Sequence, residues 1–334
     1  MKWWHWTRRL GNKALFESSF LLGKTRVWGL PDDLMIEPAS VCNLGCPTCP
    51  TGAGTLNRPG ALMDFDLYRK IIDELWPTTS KIRLWNLGEP FMHKDIYRMI
   101  RYAKDRFIKI LTSTNGHYFR EPDAPEKVVN SGLDFMIVSM DGATQESLEK
   151  FRIGARLDRI VEGVKSVIEH RDAVGAKNPT VEFQFIAMKH NIHEIAEARV
   201  LAKTMKTDIF KLKTIGISAN DPHADELIRE YLPEDARYSR YPDAEAIRNV
   251  ANHIDKLDCK RPWRHSVINQ NGDVVACCYD DQSHYVFGNL REMTFRQIWN
   301  GERYVRFRRG LLKGRSHLKT CAVCTEGLPS SVTP

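Results

Sequence analysis

Cys42, Cys46 and Cys49 lie within eight residues, in the run Val41-Cys42-Asn43-Leu44-Gly45-Cys46-Pro47-Thr48-Cys49-Pro50. Three thiolates so close in the chain can face one point only from a loop. Three soft ligands around an iron-sulfur cluster leave one iron open to a ligand that is not protein. A zinc knuckle is the plainer alternative, but it wants a fourth Cys or His at short range, and the next histidine is His93. A disulfide framework fits less well, because the N-terminus does not read as a cleavable secretory signal and reduced thiols are the default in a cytoplasmic protein.

Such a loop needs a rigid frame, and the chain offers one. After the apolar stretch Leu34-Met35-Ile36 and the cysteines, helix-like and strand-like segments alternate for about 165 residues, which argues a parallel sheet with crossover helices. Helices are expected near 65–75, 96–104, 125–130, 157–173 and 192–205. Strands are expected at 81–86, 108–112, 135–139, 181–187 and 208–212. From 216 to 258 the pattern gives way to polar residues, tyrosines and prolines and reads as a linker with some helix. Beyond it, Asn271-Gly272 between Ser266-Val267-Ile268-Asn269 and Val274-Val275-Ala276 signals a β-hairpin, and a short helix follows near 295–300.

The C-x3-C-x2-C spacing after Glu37-Pro38 resembles the signature of the radical S-adenosylmethionine (radical SAM) enzymes. The resemblance covers residues 33–215 and implies an α/β fold, a partial (β/α)6 TIM-like barrel, following an extension over 1–32. It implies a 4Fe-4S cluster on Cys42, Cys46 and Cys49 whose open iron is chelated by the methionine moiety of AdoMet. Reductive cleavage to a 5'-deoxyadenosyl radical follows, fed by a flavodoxin- or ferredoxin-like reductant. Strand-end residues then become AdoMet contacts by family likeness: Gly88, Glu89 and Pro90 for the amino group, and Thr114 and Asn115 as the Thr-Asn-Gly element. Ser139 and Asp141 serve ribose and carboxylate, Gln184 is an inward-facing contact on the fifth strand, and Arg152 pairs with the carboxylate or else stands as a solvated helix-end charge. Asn86-Leu87 and Thr48 depart from the family's usual glycine and aromatic residue, which leaves adenine placement to other groups.

Cys259, Cys277, Cys321 and Cys324 form a second set. Twelve residues separate Cys259 from Gly272 and four separate Gly272 from Cys277, a spacing that resembles the entry of the SPASM extension of the same superfamily. With four cysteines in place of seven, it looks like the shortened, twitch-type version seen in 2-deoxy-scyllo-inosamine dehydrogenase-like enzymes. It implies a small C-terminal domain, 259–334, with one auxiliary 4Fe-4S cluster saturated by protein. A four-cysteine structural zinc site is permitted by the spacing alone. Cys278 reads as a buried apolar group or a replacement ligand.

The 334 residues are 42% hydrophobic and 27% charged, the composition of a soluble globular protein, and no apolar run approaches a membrane span. The net charge of +7 is too diffuse for nucleic acid but suits an anionic small substrate. Trp3, Trp4 and Trp6 beside Arg8 and Arg9 resemble an interfacial anchor for weak membrane-surface contact, against the commoner fate of an N-terminal helix packed on the body. The expected activity is hydrogen abstraction from a small sugar-like or cyclitol substrate, with oxidation through the auxiliary cluster. Modification of a peptide side chain is the second reading. A non-enzymatic iron-sulfur or zinc scaffold is the alternative from another class. No general base is legible.

Overall fold

The computed structural model describes residues 3–241, 245–248, 250 and 259–332. The chain divides into two compact units. One comprises 1–41, 57–111 and 256–322, the other 42–56, 112–255 and 323–334.

In the first unit, β1 (Asp33–Ile36) is entirely buried and is flanked on both sides by parallel strands: β2 (Lys81–Arg83) and β7 (His265–Ile268). β2 pairs in turn with the first half of β3 (Lys109–Thr114), Lys81 opposite Lys109 and Arg83 opposite Leu111. β8 (Asp273–Val275) and β9 (Val286–Asn289) continue from β7 as an antiparallel meander. Asp33 ties three strands together. Its carboxylate accepts from Arg83 Nη1 at 2.5 Å and Lys81 Nζ at 2.9 Å, and its carbonyl lies 3.1 Å from His265 Nδ1. α2 (Phe65–Leu75) begins where Asp64 accepts the Asp66 and Leu67 amides, and it buries the stripe Leu67, Tyr68, Ile71, Ile72 and Leu75, the helical period its sequence announces. α3 (Ile96–Lys104) precedes β3 in the same manner.

The N-terminal segment forms α1 (Trp3–Leu21) and packs by one face. His5, Asn12, Phe16 and Ser19 are buried, and Asn12 exchanges two 2.8 Å hydrogen bonds with the Leu30 backbone. Trp6, Leu10 and Leu21 are exposed. Among the described residues no helix is long and apolar enough to cross a membrane.

The second unit carries β4 (Phe135–Ser139), β5 (Thr180–Ala187) and β6 (Ile209–Thr214), all parallel, with Ser139 opposite Gln184 and Gln184 opposite Lys211. The linking helices are α4 (Ala124–Ser131), α5 (Gln145–Phe151), α6 (Leu157–Ala173) and α7 (Ile195–Thr204). Strict alternation along β5 buries Val181, Phe183, Phe185 and Ala187 completely and leaves Glu182, Gln184 and Ile186 half-buried. α8 (Ala224–Tyr231) lies in the stretch read as a linker and is packed into this unit, its Leu227 and Tyr231 meeting Phe151, Met188 and Ile215. The rest of the expected linker, residues 242–244, 249 and 251–258, falls outside the described residues.

Candidate active site

The second unit holds the loop of Cys42, Cys46 and Cys49, and strand ends and a helix end fix it from its own backbone upward. The Cys49 amide donates to Cys46 O at 3.2 Å and the Ala53 amide to Cys49 O at 2.8 Å, so the third cysteine closes a turn on the second. A Cβ on Gly52 would stand 2.5 Å from the Cys46 amide nitrogen, so this turn requires glycine. The Gly45 amide donates to Ile153 O at 2.9 Å, just past the end of α5. Asn115, beyond β3, donates from Nδ2 to Asn43 Oδ1 at 2.8 Å and lies 3.9 Å from Cys42 Sγ. Its Oδ1 accepts the His117 amide.

Arg152 follows α5 and is buried rather than solvated. Its Nη2 is 2.6 Å from Asp141 Oδ2 and its Nη1 is 4.0 Å from Cys46 Sγ. Asp141 is fully buried at the end of β4, and its other oxygen accepts the Ile186 amide at 2.7 Å. Asn191, also fully buried, donates to the Asp141 carbonyl at 2.8 Å and accepts the Met188 amide. Burial pushes the Cys46 thiol up to about 11, with Cys49, Asp141 and Cys42 adding to it and Arg152 opposing. Burial also raises Asp141 against the pull of Arg152. Ser139 Oγ lies 3.4 Å from Ser113 Oγ. Thr114 is buried and caps the Gly116 amide, so its hydroxyl serves the turn. Gln184 receives the Met140 amide on its carbonyl and lies half-buried on the same sheet face as Ser139.

Gly88, Glu89 and Pro90 belong to the first unit. Gly88 has φ +80°, and a Cβ there would stand 2.5 Å from Ala39 O and 2.7 Å from Val41 O, so the chain can pass this close only as glycine. The Glu89 amide donates to Val41 O at 2.8 Å, and its carboxylate accepts the Phe91 amide at the head of a short 3-10 turn that Pro90 starts. Glu37, fully buried, supports the same segment. It accepts from Arg58 Nη2 at 2.8 and 3.0 Å, from the Leu87 amide at 3.2 Å and from the Gln270 amide at 3.2 Å. Arg58 reaches on to Asp281 O at 2.7 Å. His93 uses both ring nitrogens locally, on Met63 O and the Asp95 amide.

In the C-terminal set, Cys259 and Cys277 both bear electrostatically on Tyr304, whose hydroxyl burial pushes up to about 12. Asp280, buried, links two cysteine-bearing segments. Its amide donates to Cys277 O, and its carboxylate accepts the His284 and Tyr285 amides and the Thr320 hydroxyl, each at 2.9 Å. Thr320 precedes Cys321 in the short helix Lys319–Ala322. Cys324 lies in the second unit, where its sulfur accepts the Glu326 amide at 3.4 Å. Cys278 lines the cluster of Met35, Val267 and Val275, and its sulfur is 3.9 Å from Arg261 Nη1. Among the described residues, no three His, Cys, Asp or Glu side chains converge closely enough to hold a single metal ion.

The donor chemistry of the first loop fits an AdoMet-binding iron-sulfur cluster. Soft thiols sit beside a buried cation, Arg152, whose Nε is buried without a hydrogen bond. Sequence reasoning missed Asn43, Asn191 and the Ile153 carbonyl, which act through tertiary contacts with no local signature.

A family model described as the radical SAM superfamily matches residues 36–175, and one described as an iron-sulfur cluster-binding domain, SPASM, matches 259–325. The tungsten-containing aldehyde ferredoxin oxidoreductase cofactor-modifying protein of Pyrococcus furiosus is 25% identical over 305 residues, 82% of either chain. The AdoMet-dependent heme synthase of Methanosarcina barkeri is 25% identical over 320 residues, 86% of this chain and 89% of that one. The solved structure of BtrN in complex with AdoMet and 2-DOIA superposes with a TM-score of 0.52 at 17% identity, covering 88% of this chain and 92% of that one, a likeness of fold. The chain is therefore a radical SAM enzyme with a C-terminal SPASM domain, using AdoMet and iron-sulfur clusters.

Proposed function

We propose that this enzyme oxidises a small polar substrate, with the AdoMet-bound cluster on Cys42, Cys46 and Cys49 and one auxiliary cluster on Cys259, Cys277, Cys321 and Cys324. Bound there, AdoMet and the first cluster supply abstraction of a hydrogen atom from an unactivated carbon. The observation that carries the reading is Arg152, held between Asp141 and the Cys46 sulfur. It keeps a positive charge against the thiolate and offers guanidinium to the AdoMet carboxylate, while Asn115 and the Ile153 carbonyl hold the loop in place. Gly88 and Glu89 present backbone carbonyls to the methionine amino group, and Ser139, Asp141 and Gln184 contribute polar groups along the strand ends. The four C-terminal cysteines support the oxidising half of the reading, since a cluster saturated by protein can accept an electron without binding substrate.

Anaerobically reconstituted protein with dithionite is expected to convert AdoMet to 5'-deoxyadenosine, and Cys46→Ala to abolish it. Cys321→Ala/Cys324→Ala is expected to spare that cleavage and stop substrate oxidation, provided circular dichroism shows the variant folded. A folded double variant that oxidises substrate at the wild-type rate would remove the electron-accepting role.

A further inference from the structure

We propose that the solvent-reached face of β5 and β6 is an anion subsite, where Lys211 and Lys213, backed by Arg240, take a carboxylate or phosphate group of the substrate. The opposite face of β5 is sealed by Val181, Phe183, Phe185 and Ala187. The half-buried residues of the facing side carry the charge: Glu182 on β5, Lys211 and Lys213 on β6. Both lysines bear on Glu182, and Arg240 bears on Lys213. Arg240 is anchored by Nε to Thr214 Oγ1 at 3.1 Å, by Nη1 to Thr325 Oγ1 at 3.3 Å and by Nη2 to Thr214 O, which fixes its charge beside Lys213. Lys213 Nζ also touches Ser330 Oγ at 3.3 Å.

Two lysines thus bear on one carboxylate, and the Arg240 guanidinium adds a third positive charge beside Lys213. A single lysine would satisfy Glu182, and like charges set side by side on a half-dry face are destabilising unless something anionic sits among them. Register supplies the second argument. Ser139, Gln184 and Lys211 form one row across the sheet, which places Lys211 two strands, roughly 10 Å, from Ser139. An anionic group on the lysines would bring the body of a small molecule alongside the residues assigned to AdoMet. The inference rests on that assignment for its meaning, though not for its test.

The test measures binding to reconstituted enzyme by titration calorimetry and thermal shift, without AdoMet or reductant. Citrate and pyrophosphate are the probes, with sodium chloride at matched ionic strength as the reference. Binding of citrate alone identifies a carboxylate site, and binding of pyrophosphate alone a phosphate site. Lys211→Gln/Lys213→Gln is expected to weaken the binding probe at least tenfold and to melt no lower than wild type. Glu182→Gln is expected to tighten it, and Lys189→Gln, whose lysine pairs with Glu234, to leave it unchanged. Should the double variant fail to fold, Lys213→Gln alone carries the test. Absence of binding by either probe, or equal affinity in wild type and lysine variant, overturns the proposal, as does a Lys213→Gln variant that melts well below wild type, which would make that lysine a structural partner of Glu182. Loss of 5'-deoxyadenosine formation with anion binding intact would count against the AdoMet assignment alone.

Discussion

Arg152 and Asp141 form a buried ion pair at 2.6 Å, with the carboxylate fully buried and the guanidinium one-eighth exposed. Each lies past the end of an element, Arg152 after α5 and Asp141 after β4, so the pair locks the cysteine loop to the sheet through Ile153 and Cys46.

Removing one partner of such a pair leaves a charge in the dry interior. Arg152→Met is expected to cost about 3–5 kcal/mol in urea unfolding, and Arg152→Met/Asp141→Leu distinctly less. Arg152→Lys is expected to fold but to raise the AdoMet concentration needed for half-maximal 5'-deoxyadenosine formation, because lysine cannot serve two partners with a planar fork.

The Glu37–Arg58 pair makes the same argument in the first unit. Arg58→Met leaves Glu37 with only the Leu87 and Gln270 amides, and the melting midpoint is expected to fall by several degrees. Glu37→Gln/Arg58→Met should recover most of the loss.

Asp33 is expected to contribute to the acid limb of stability. Burial alone would raise its carboxyl, but His265, Arg83 and Lys81 together outweigh burial and hold it well below the usual carboxylate range. A depressed acid stabilises the fold fully above its unfolded pKa, about 3.9, and loses that contribution as pH falls through and below it. Urea midpoints measured from pH 6 down to pH 3 should fall steeply below about pH 4, and Asp33→Asn should flatten that limb.

Asp280 positions cysteines without being one. Asp280→Ala is expected to weaken iron retention at the C-terminal cysteines by about ten- to a hundred-fold, seen as loss of one electron paramagnetic resonance signal while the AdoMet-perturbed signal persists. Thr320→Val, which removes one of the three contacts of the Asp280 carboxylate, should show a smaller effect in the same direction.

The elements of the barrel were legible because their apolar residues keep a period. α2 is found at its expected bounds, and β5 within one residue. What escaped was non-local or weakly patterned. α5 is seven residues long behind Thr144, and the helix Glu302–Lys313 hides its stripe of Tyr304, Val305, Phe307 and Leu311 among arginines and around Gly310. The parallel pairing of β1 with β7 leaves no mark in either segment. In the candidate site, residue types and spacing single out the cysteines as candidates, whereas the burial of Arg152 is decided by Asp141, a partner that arrives from beyond the end of β4.

That pairing of β1 with β7 bears on how the protein is made. Asp33 and His265 are 232 residues apart, so β1 leaves the ribosome with one of its two edges unclaimed until most of the chain has followed. A chain ended before the hairpin would keep that apolar edge open to other molecules. Truncation ahead of residue 259 should therefore yield an aggregating fragment rather than a lone barrel, and the nascent protein should depend on chaperones until the hairpin that begins with β7 emerges.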